Sequence, residues 1–343
     1  MRCAIPAVLL AALAAAAPLQ AQAYDVQCGA APQEAEDACV KAIDLFRYLA
    51  PQLGTAIAGG NAILGSSGTL GGFGHVSFGL RVNAVAGDLP RVSDVPLSLS
   101  GAQSTSFTTK SQLIPLPAAD LALGIFSGFP VGLTNVGGLD LLVSASYLPE
   151  FEANQVSVRV PGGSLQLGFG ARLGLMQESL LLPGVSLSLL RRDLPTVDVV
   201  GKTQSVLASS GEDSLTVTGF DVNTTSWRLT AGKSFMMFGI ALGGGQDRYT
   251  YEADISATVH PTVGAPVTYS VTSIQAAELN GRDLRRLTRT SYFADVSLNL
   301  PFFRLVGEIG QVSGGDIPTF NTFSGKAADK SRIYGSVGAR IGW

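Results

Sequence analysis

From residue 75 onward, apolar and polar side chains alternate along most of the chain. The alternation is clearest over residues 164–176, where apolar residues are separated by small residues, polar residues or Arg. A period of two is that of a β-strand, whose successive side chains point to opposite faces. The same period recurs in residues 75–84, 119–125, 139–147, 185–189, 227–231, 236–242 and 292–300. This pattern predicts many antiparallel strands, each with one apolar face.

The polar faces of these strands favour a membrane barrel over a soluble sandwich. A sandwich turns a face rich in Lys, Glu and Asp toward water. Here the polar positions hold mostly Gly, Ser and Asn, with an isolated Arg or Asp. Small polar side chains fit the crowded interior of a closed barrel, while lipid covers the apolar exterior. We therefore predict an all-β protein, a transmembrane antiparallel up-and-down β-barrel with a short N-terminal helical segment.

Composition supports the same class and excludes others. Only 14% of residues are charged and 41 of 343 are Gly, whereas soluble domains carry about 25% charged residues and about 7% Gly. After the N-terminal region there is no run of about 18 apolar residues, which a membrane-spanning helix would need. A net charge of -3 also argues against a nucleic-acid partner, because phosphate binding needs a clustered excess of Lys and Arg.

The N-terminus has the features of an export signal. Arg2 provides the positive start, Ala4 to Ala17 an apolar core, and Ala21-Gln22-Ala23 a small-x-small cleavage pattern. We predict a signal peptide over residues 1–23, with a retained membrane anchor as the alternative. The mature chain is then expected to comprise a disulfide-bearing helical plug or cap over residues 24–71 and a barrel over 72–343, located in the outer membrane.

The exported chain keeps two cysteines, Cys28 and Cys39. In an oxidising compartment two cysteines most simply form one disulfide. Zinc binding is the alternative, but no second cysteine pair and no nearby His completes a tetrahedral site. We predict a disulfide and no metal or cofactor.

Between Pro32 and Pro51 the apolar period changes to that of a helix, with acids in its first half and Lys41 and Arg47 later. This pattern predicts one amphipathic helix. It could serve as a plug, as a periplasmic docking element or as a short capping helix. The Gly-rich run of residues 59–74 is expected to connect it flexibly to the barrel.

The last strand carries the most specific signal. Its apolar positions alternate up to a terminal aromatic residue, and it resembles the C-terminal strand of bacterial outer-membrane barrels. The resemblance implies recognition by the barrel-assembly machinery and contact with outer-membrane lipid. The residues assigned to this signal are Tyr334, Val337, Ala339, Ile341 and Trp343.

With Trp343 at the periplasmic edge, short inner turns and long outer loops should alternate along the chain. The predicted inner turns lie near 128–138, 182–184, 232–234 and 299–302, and the outer loops near 87–117, 150–163, 201–213, 246–288 and 313–329. Ten strands are expected to start near residues 75, 118, 139, 164, 184, 213, 235, 284, 302 and 330. Counts from eight to fourteen stay open, because the longest outer segments could hold further hairpins.

Charged residues on the polar parity are the candidates for lining the lumen. They form either a constriction that selects anions by its excess of Arg or an internal salt-bridge network that fills the barrel. The candidates are His75, Arg81, Asp120, Asp140, Arg172, Arg192, Arg228, Asp295, Arg304, Glu308, Arg332 and Arg340.

No catalytic constellation is predicted. His75 with Ser77 resembles the His-x-Ser spacing of outer-membrane lipid hydrolases, but the pair falls at the periplasmic start of the first strand and has no identifiable third residue. His260 lacks the adjacent acids that would resemble an outer-membrane protease. Residues 243–245 are three glycines, but no helix follows them to form a nucleotide site.

Residues 121–129, 139–148 and 184–195 resemble a bacterial outer-membrane family of unknown function. The plan of a helical segment before a barrel is also similar in outline to long-chain fatty-acid transporters, although their Asn-Pro-Ala motif is absent. Three functions remain open: passage of a small solute or hydrophobic molecule, a closed structural or surface-interaction barrel, and an outer-membrane lipid-processing enzyme.

Overall fold

The computed structural model describes residues 27–92, 95–153, 156–203, 213–261, 264–272, 286–315 and 317–343. A 3-10 turn over Cys28–Ala30 precedes one helix, α1, over Gln33–Ala58. The strands are β1 Val76–Pro90, β2 Ser106–Phe107, β3 Thr109–Phe126, β4 Phe129–Val131, β5 Thr134–Val136, β6 Gly138–Tyr147, β7 Phe151–Ala153, β8 Val156–Arg159, β9 Leu165–Met176, β10 Gly184–Asp193, β11 Val197–Thr203, β12 Asp213–Phe235, β13 Phe238–Val259, β14 Val267–Val271, β15 Arg286–Asn299, β16 Arg304–Val312, β17 Thr322–Phe323 and β18 Arg332–Gly342.

Ten of these strands close into a ring. Their order is β1, β3, β6, β9, β10, β12, β13, β15, β16 and β18, and β18 pairs with β1 to complete the circle. Every neighbouring pair is antiparallel. The predicted fold class and the preferred number of ring strands are confirmed.

The two ends of the ring differ. At one end the connections are short, such as residues 236–237 and 300–303, whereas at the other they include residues 91–108 and 313–331. Since outer loops of such barrels are long and periplasmic turns short, we call these the inner end and the outer end. Trp343 lies at the inner end, where its backbone exchanges hydrogen bonds with Val76.

The strands β1, β3 and β13 extend further toward the outer end than the sequence predicts, whereas β12 starts at residue 213 as predicted. β12 has 23 residues and β13 has 22, so each is about 70 to 75 Å long, roughly twice what a tilted strand needs to cross the bilayer. The predicted loop 246–288 is therefore wrong in its first part, because β13 continues to Val259. The loop 87–117 is also shorter than predicted, because β1 and β3 stay paired out to Pro90 and Thr109.

An apolar face surrounds the ring. Every ring strand exposes at least one large apolar side chain, and together these form a continuous outer belt that far exceeds the exposed patches of soluble monomers. Lipid covers such a belt in a transmembrane barrel. Examples, one from each ring strand, are Leu80, Ile125, Leu141, Phe169, Leu189, Trp227, Leu242, Tyr292, Ile309 and Val337.

The helix α1 is longer and more deeply buried than predicted. It continues through Pro51 to Ala58 instead of ending at Pro51. Lys41, Asp44 and Arg47 are buried together with its apolar residues, so the helix is enclosed on nearly all sides. The predicted disulfide between Cys28 and Cys39 is confirmed, with a Cα–Cα distance of 5.7 Å. Among the described residues, no helix combines the length and hydropathy that crossing a membrane requires.

Candidate functional site

The helix α1 begins at the outer end, beneath the loops. The Asp37 carboxylate accepts the backbone N–H groups of Ser98 and Gln103 at 2.7 and 2.9 Å. Lys41 donates to Asp37 at 2.5 Å and to the carbonyl of Pro96 at 2.8 Å. These bonds satisfy buried charges and join the first half of the helix to the loop between β1 and β3.

Aromatic rings join the helix to a second outer loop. Tyr48 stacks on Phe323 with ring centroids 4.0 Å apart, and Phe323 stacks on Phe107 at 4.9 Å. Phe107 and Phe323 belong to β2 and β17, which pair with each other across the two loops. The helix is therefore held between loops that come from opposite sides of the β1–β18 seam.

The carboxyl end of the helix points into the ring and meets cationic side chains. Arg192 donates to the carbonyl of Ala58 at 2.6 Å and Arg228 donates to the carbonyl of Gly59 at 3.1 Å. The last carbonyls of a helix have no intrahelical partner and carry the negative end of its dipole. Two guanidinium groups supply both the missing donors and the favourable charge.

Residues 59–72, the lumen segment, run from the helix to the inner end without regular secondary structure. Arg81 and Arg304 donate to the carbonyls of Asn61 and Gly65 at 3.0 and 2.9 Å. These contacts continue the series that begins at the end of the helix. Four arginines of the wall thus donate to carbonyls between positions 58 and 65.

Acidic side chains of the wall accept the N–H groups of the same segment. Glu308 accepts the Asn61 N–H at 2.6 Å, and Asp295 accepts the Gly65 N–H at 3.0 Å. Further toward the inner end, Asp140 accepts the Leu70 N–H at 3.2 Å. The wall therefore bonds to the backbone of this segment through charged groups of both signs.

The fit around the lumen segment is also steric. A Cβ atom on Gly60 would overlap the carboxylate of Glu308. Ile63 packs against Leu142 and Leu190, two apolar side chains that interrupt the polar parity and point inward. Close contact on both polar and apolar sides fixes the position of the segment.

The buried charges also pair with one another across neighbouring strands. These pairs are Arg81 with Asp120 at 2.8 Å, Arg172 with Asp140 at 2.7 Å, Arg228 with Asp247 at 2.5 Å and Arg332 with Asp88 at 2.7 Å. Four of these eight groups, namely Arg81, Asp140, Arg172 and Arg228, are also bonded to the lumen segment. The charges form an internal network, as one of the two interpretations predicts, and the backbone of the lumen segment is part of that network.

Three candidates lie toward the inner end of the ring. His75 is exposed at the inner end, and Arg304 and Arg340 line cavities there. In the C-terminal strand, Val337, Ile341 and Trp343 are exposed on the outer face, as is Ala339, whereas Tyr334 is buried inside the ring. Recognition of this strand by the assembly machinery stays a prediction.

Several residues of the network are absent from the predicted lumen-lining set. Asp247 falls in the predicted loop 246–288 although it continues the inward parity of β13, and Arg289 shares the inward parity of Asp295 on β15. When the alternation of inward and outward residues is continued to the outer ends of β13 and β15, it predicts that both side chains point into the ring. Asn61, whose side-chain amide donates to Asp295 at 2.7 Å, lies in a run without periodicity and has no such signal.

The two histidines do not form a catalytic pair with a described nucleophile. His75 contacts the carbonyl of Gly72 at 3.3 Å. His260 lies 3.4 Å from Asp213 and near the outer loops. Among the described residues, neither histidine is hydrogen-bonded to a Ser, Thr or Cys side chain.

Comparison with known proteins gave structural matches only. No family model and no curated protein matches the chain. The translocator domain of the autotransporter NalP from Neisseria meningitidis is similar at 9% identity and TM-score 0.35, covering 91% of this chain and 99% of that one. The outer-membrane protease OmpT of Escherichia coli matches at 8% identity and TM-score 0.35, covering 78% of this chain and 96% of that one. The Pseudomonas putida toluene transporter TodX matches at 10% identity and TM-score 0.25, covering 84% and 96%.

The ring of this chain is closed by its own strand pairing and carries its own apolar belt. The protein is a transmembrane β-barrel of ten antiparallel ring strands.

Replacing Arg192 by Met should loosen the lumen segment. The Ala58 carbonyl would lose its donor inside the ring, at a cost of about 1–3 kcal/mol. We expect backbone amides of the lumen segment to exchange hydrogen about tenfold faster, as measured by mass spectrometry. Arg191→Met is the matched control, because the neighbouring Arg191 is largely exposed and lies 3.4 Å from Asp193. Equal exchange in both variants would contradict the role given to Arg192.

Asp44 is a buried acid at the helix–loop contact. Asn321 donates its backbone N–H and its side-chain amide to one Asp44 oxygen at 2.7 and 2.8 Å, and Arg47 lies 3.8 Å from the other oxygen. Burial raises the pKa of Asp44 to about 6, although Asn321 and Arg47 oppose the shift. The protonated form therefore predominates in the folded protein below about pH 6.

We expect Asp44→Asn to reduce the dependence of stability on pH. A raised pKa contributes stability that is fully present below about pH 4 and is lost as the pH rises through about 6, up to about 3 kcal/mol for this group. Asn keeps an acceptor for Asn321 and removes the titration. Denaturant unfolding in detergent at pH 4.5 and 7.5 measures the difference. Glu34→Gln, an exposed acid of the same helix, should leave it unchanged, and an unaltered pH dependence in Asp44→Asn would refute the assignment.

Proposed function

We propose that the protein is a closed outer-membrane barrel that presents its N-terminal helix and outer loops for interaction at the cell surface. One observation carries this proposal: the lumen segment is bonded to the wall from the end of α1, at Ala58, to Leu70 near the inner end. An occupied lumen supports a surface role over free diffusion of solutes.

The cavities along the lumen support closure. Near the middle, beside Ile63 and Arg81, the cavity volume is about 20 Å³, which is room for about one water molecule. Larger cavities of about 200 and 340 Å³ lie at the inner end. Opening a path would require breaking several charge-assisted hydrogen bonds, each worth about 1.5–3 kcal/mol.

The topology supports presentation at the surface. β1 starts at the inner end, and the lumen segment leads from there up to α1, whose first residues contact the outer loops. The backbone carbonyl of Gln27, the first described residue, accepts a hydrogen bond from the Tyr269 hydroxyl of β14 at 2.9 Å. The N-terminal end of the described chain therefore belongs to the outer face.

Gated passage of a small molecule is the second candidate. The described hydrogen bonds between the lumen segment and the wall all involve wall side chains, and no strand pairs with the segment. The segment could therefore leave without disrupting the strand ladder. Passage would then depend on a signal that displaces it.

Bilayer recordings distinguish these functions. We expect the wild-type protein to be silent in planar bilayers and Gly60→Leu to conduct intermittently, because a side chain there would overlap Glu308 and push the segment out. Gly307→Leu is the matched control, since a Cβ atom at Gly307 meets open space. Steady conductance of the wild-type barrel would reject the closed state and favour passage.

Surface labelling tests the position of the helix. Single cysteines at Glu34, Ala327 and Leu180 are introduced after replacing Cys28 and Cys39 by Ala. A membrane-impermeant maleimide should label positions 34 and 327 on intact cells, because both are exposed at the outer end. Position 180 lies in an inner turn and should be labelled only after the outer membrane is opened. Labelling at 327 without labelling at 34 would contradict the proposal.

A further inference from the structure

Two arginines face each other at the inner end of the ring. Arg304 and Arg340 are direct partners in the β16–β18 register. Side chains at such positions have Cβ atoms about 5 Å apart, and like charges there are destabilising. The charge pair therefore needs an explanation beyond strand pairing.

No described carboxylate forms a close ion pair with either arginine, although Glu178 lines the smaller of their two cavities with them. Neither guanidinium lies within 4.0 Å of an acidic oxygen in the described part of the chain. The C-terminal carboxylate of Trp343 is also not within 4.0 Å of either guanidinium, although Trp343 and both arginines line one cavity. The contrast with Arg172 is clear, because that arginine has Asp140 at 2.7 Å.

The hydrogen-bonding capacity of the pair is also largely unused. Arg304 donates one hydrogen bond, from its Nη1 atom to the Gly65 carbonyl. The Nη1 atom of Arg340 is buried and has no hydrogen-bond partner. A buried donor without a partner costs about 1–3 kcal/mol, so an acceptor near Arg340 would remove a real penalty.

Both arginines line a cavity that an anion could enter. Its volume is about 340 Å³, and His75, Asn299 and Trp343 complete its polar and aromatic sides. The same two arginines also border the cavity of about 200 Å³ on the other side of the lumen segment. The pair is thus accessible from the inner end while the centre of the lumen stays closed.

The chemistry of the pair favours phosphate over carboxylate. Arginine presents planar pairs of N–H donors that match phosphate oxygens, and two guanidiniums offer more donors than one carboxylate can accept. Inorganic phosphate or a phosphate monoester, with a charge of about -1.5 to -2, also balances two positive charges, whereas a lipid phosphodiester carries one charge and matches the pair by its oxygens alone. A single carboxylate would leave one of the two positive charges uncompensated.

We propose that Arg304 and Arg340 form a binding site for a phosphate group that reaches the inner end of the barrel from the periplasmic side. The phosphate belongs either to a free ion or solute or to a lipid headgroup at the membrane edge. The site lies below the closed part of the lumen and does not depend on surface presentation.

Isothermal titration calorimetry on the full chain in non-ionic detergent and phosphate-free buffer tests the site. The probes are inorganic phosphate, monomeric short-chain phosphatidylglycerol and acetate. We expect saturable binding of one or both phosphate compounds and much weaker binding of acetate. Phosphate alone would identify a soluble ligand, and the lipid alone would identify a headgroup.

Variants connect the binding to the pair. Arg340→Gln should weaken binding about tenfold or more, and Arg340→Lys should weaken it less, because the charge remains but the paired donors are lost. Arg191→Gln, on the opposite half of the barrel, should bind like wild type. Heat-modifiable gel migration verifies that each variant is folded.

Three results would overturn the proposal. They are the absence of saturable binding to wild type up to about 10 mM of either phosphate compound, equal affinity for acetate, and unchanged affinity in folded Arg340→Gln. The first of these uses the wild-type protein alone, so it decides the matter even if the variants fail to assemble. None of these results would change the expected absence of conductance in bilayer recordings. The binding site and the closed barrel are therefore tested separately.

Discussion

The structure depends on one constraint: a backbone that crosses the inside of a closed barrel must find hydrogen-bond partners without water and without a neighbouring strand. The strands of the ring have used their own N–H and C=O groups in the ladder. Only wall side chains remain available to the lumen segment. Charged side chains meet this need best, because their hydrogen bonds are short and strong. Arg192, Arg228 and Glu308 illustrate both signs.

Arginine serves this role better than lysine because it can bond to two partners at fixed angles. Arg228 holds the Asp247 carboxylate and the Gly59 carbonyl with the same guanidinium. Burying such pairs is costly, and an apolar filling could be as stable. An apolar filling would not, however, satisfy the carbonyl at the end of the helix. The charges therefore determine where the segment lies as well as how stable it is.

The sequence predicted the ring well because lipid and lumen impose opposite polarity on alternate residues. The inward charges at Arg81, Asp140 and Arg172 followed from that parity alone. Their hydrogen-bond partners in residues 59–72 could not be predicted. This segment has no apolar period, and most of the partners are backbone groups, whose positions a side-chain pattern does not indicate. The outer part of β13, up to Val259, lies in a predicted loop, because α1 rather than lipid packs against it and its outward face is less apolar there. Asp247 lies in that part of β13 and is therefore absent from the predicted lumen-lining residues.

The core of the protein lies at the outer end rather than within the membrane-spanning part. Within the bilayer the apolar side chains point away from the protein, so they cannot pack around a common centre. Above it, α1 packs Phe46 against Phe220 and Tyr251 of the extended strands, with ring centroids 5.1 and 6.3 Å apart. The helix thus provides the second layer that long strands need once lipid no longer covers them. The outer parts of β12 and β13 bury their apolar side chains against the helix, and the helix buries its own against these strands. Each therefore requires the other, because neither could bury its apolar side chains alone.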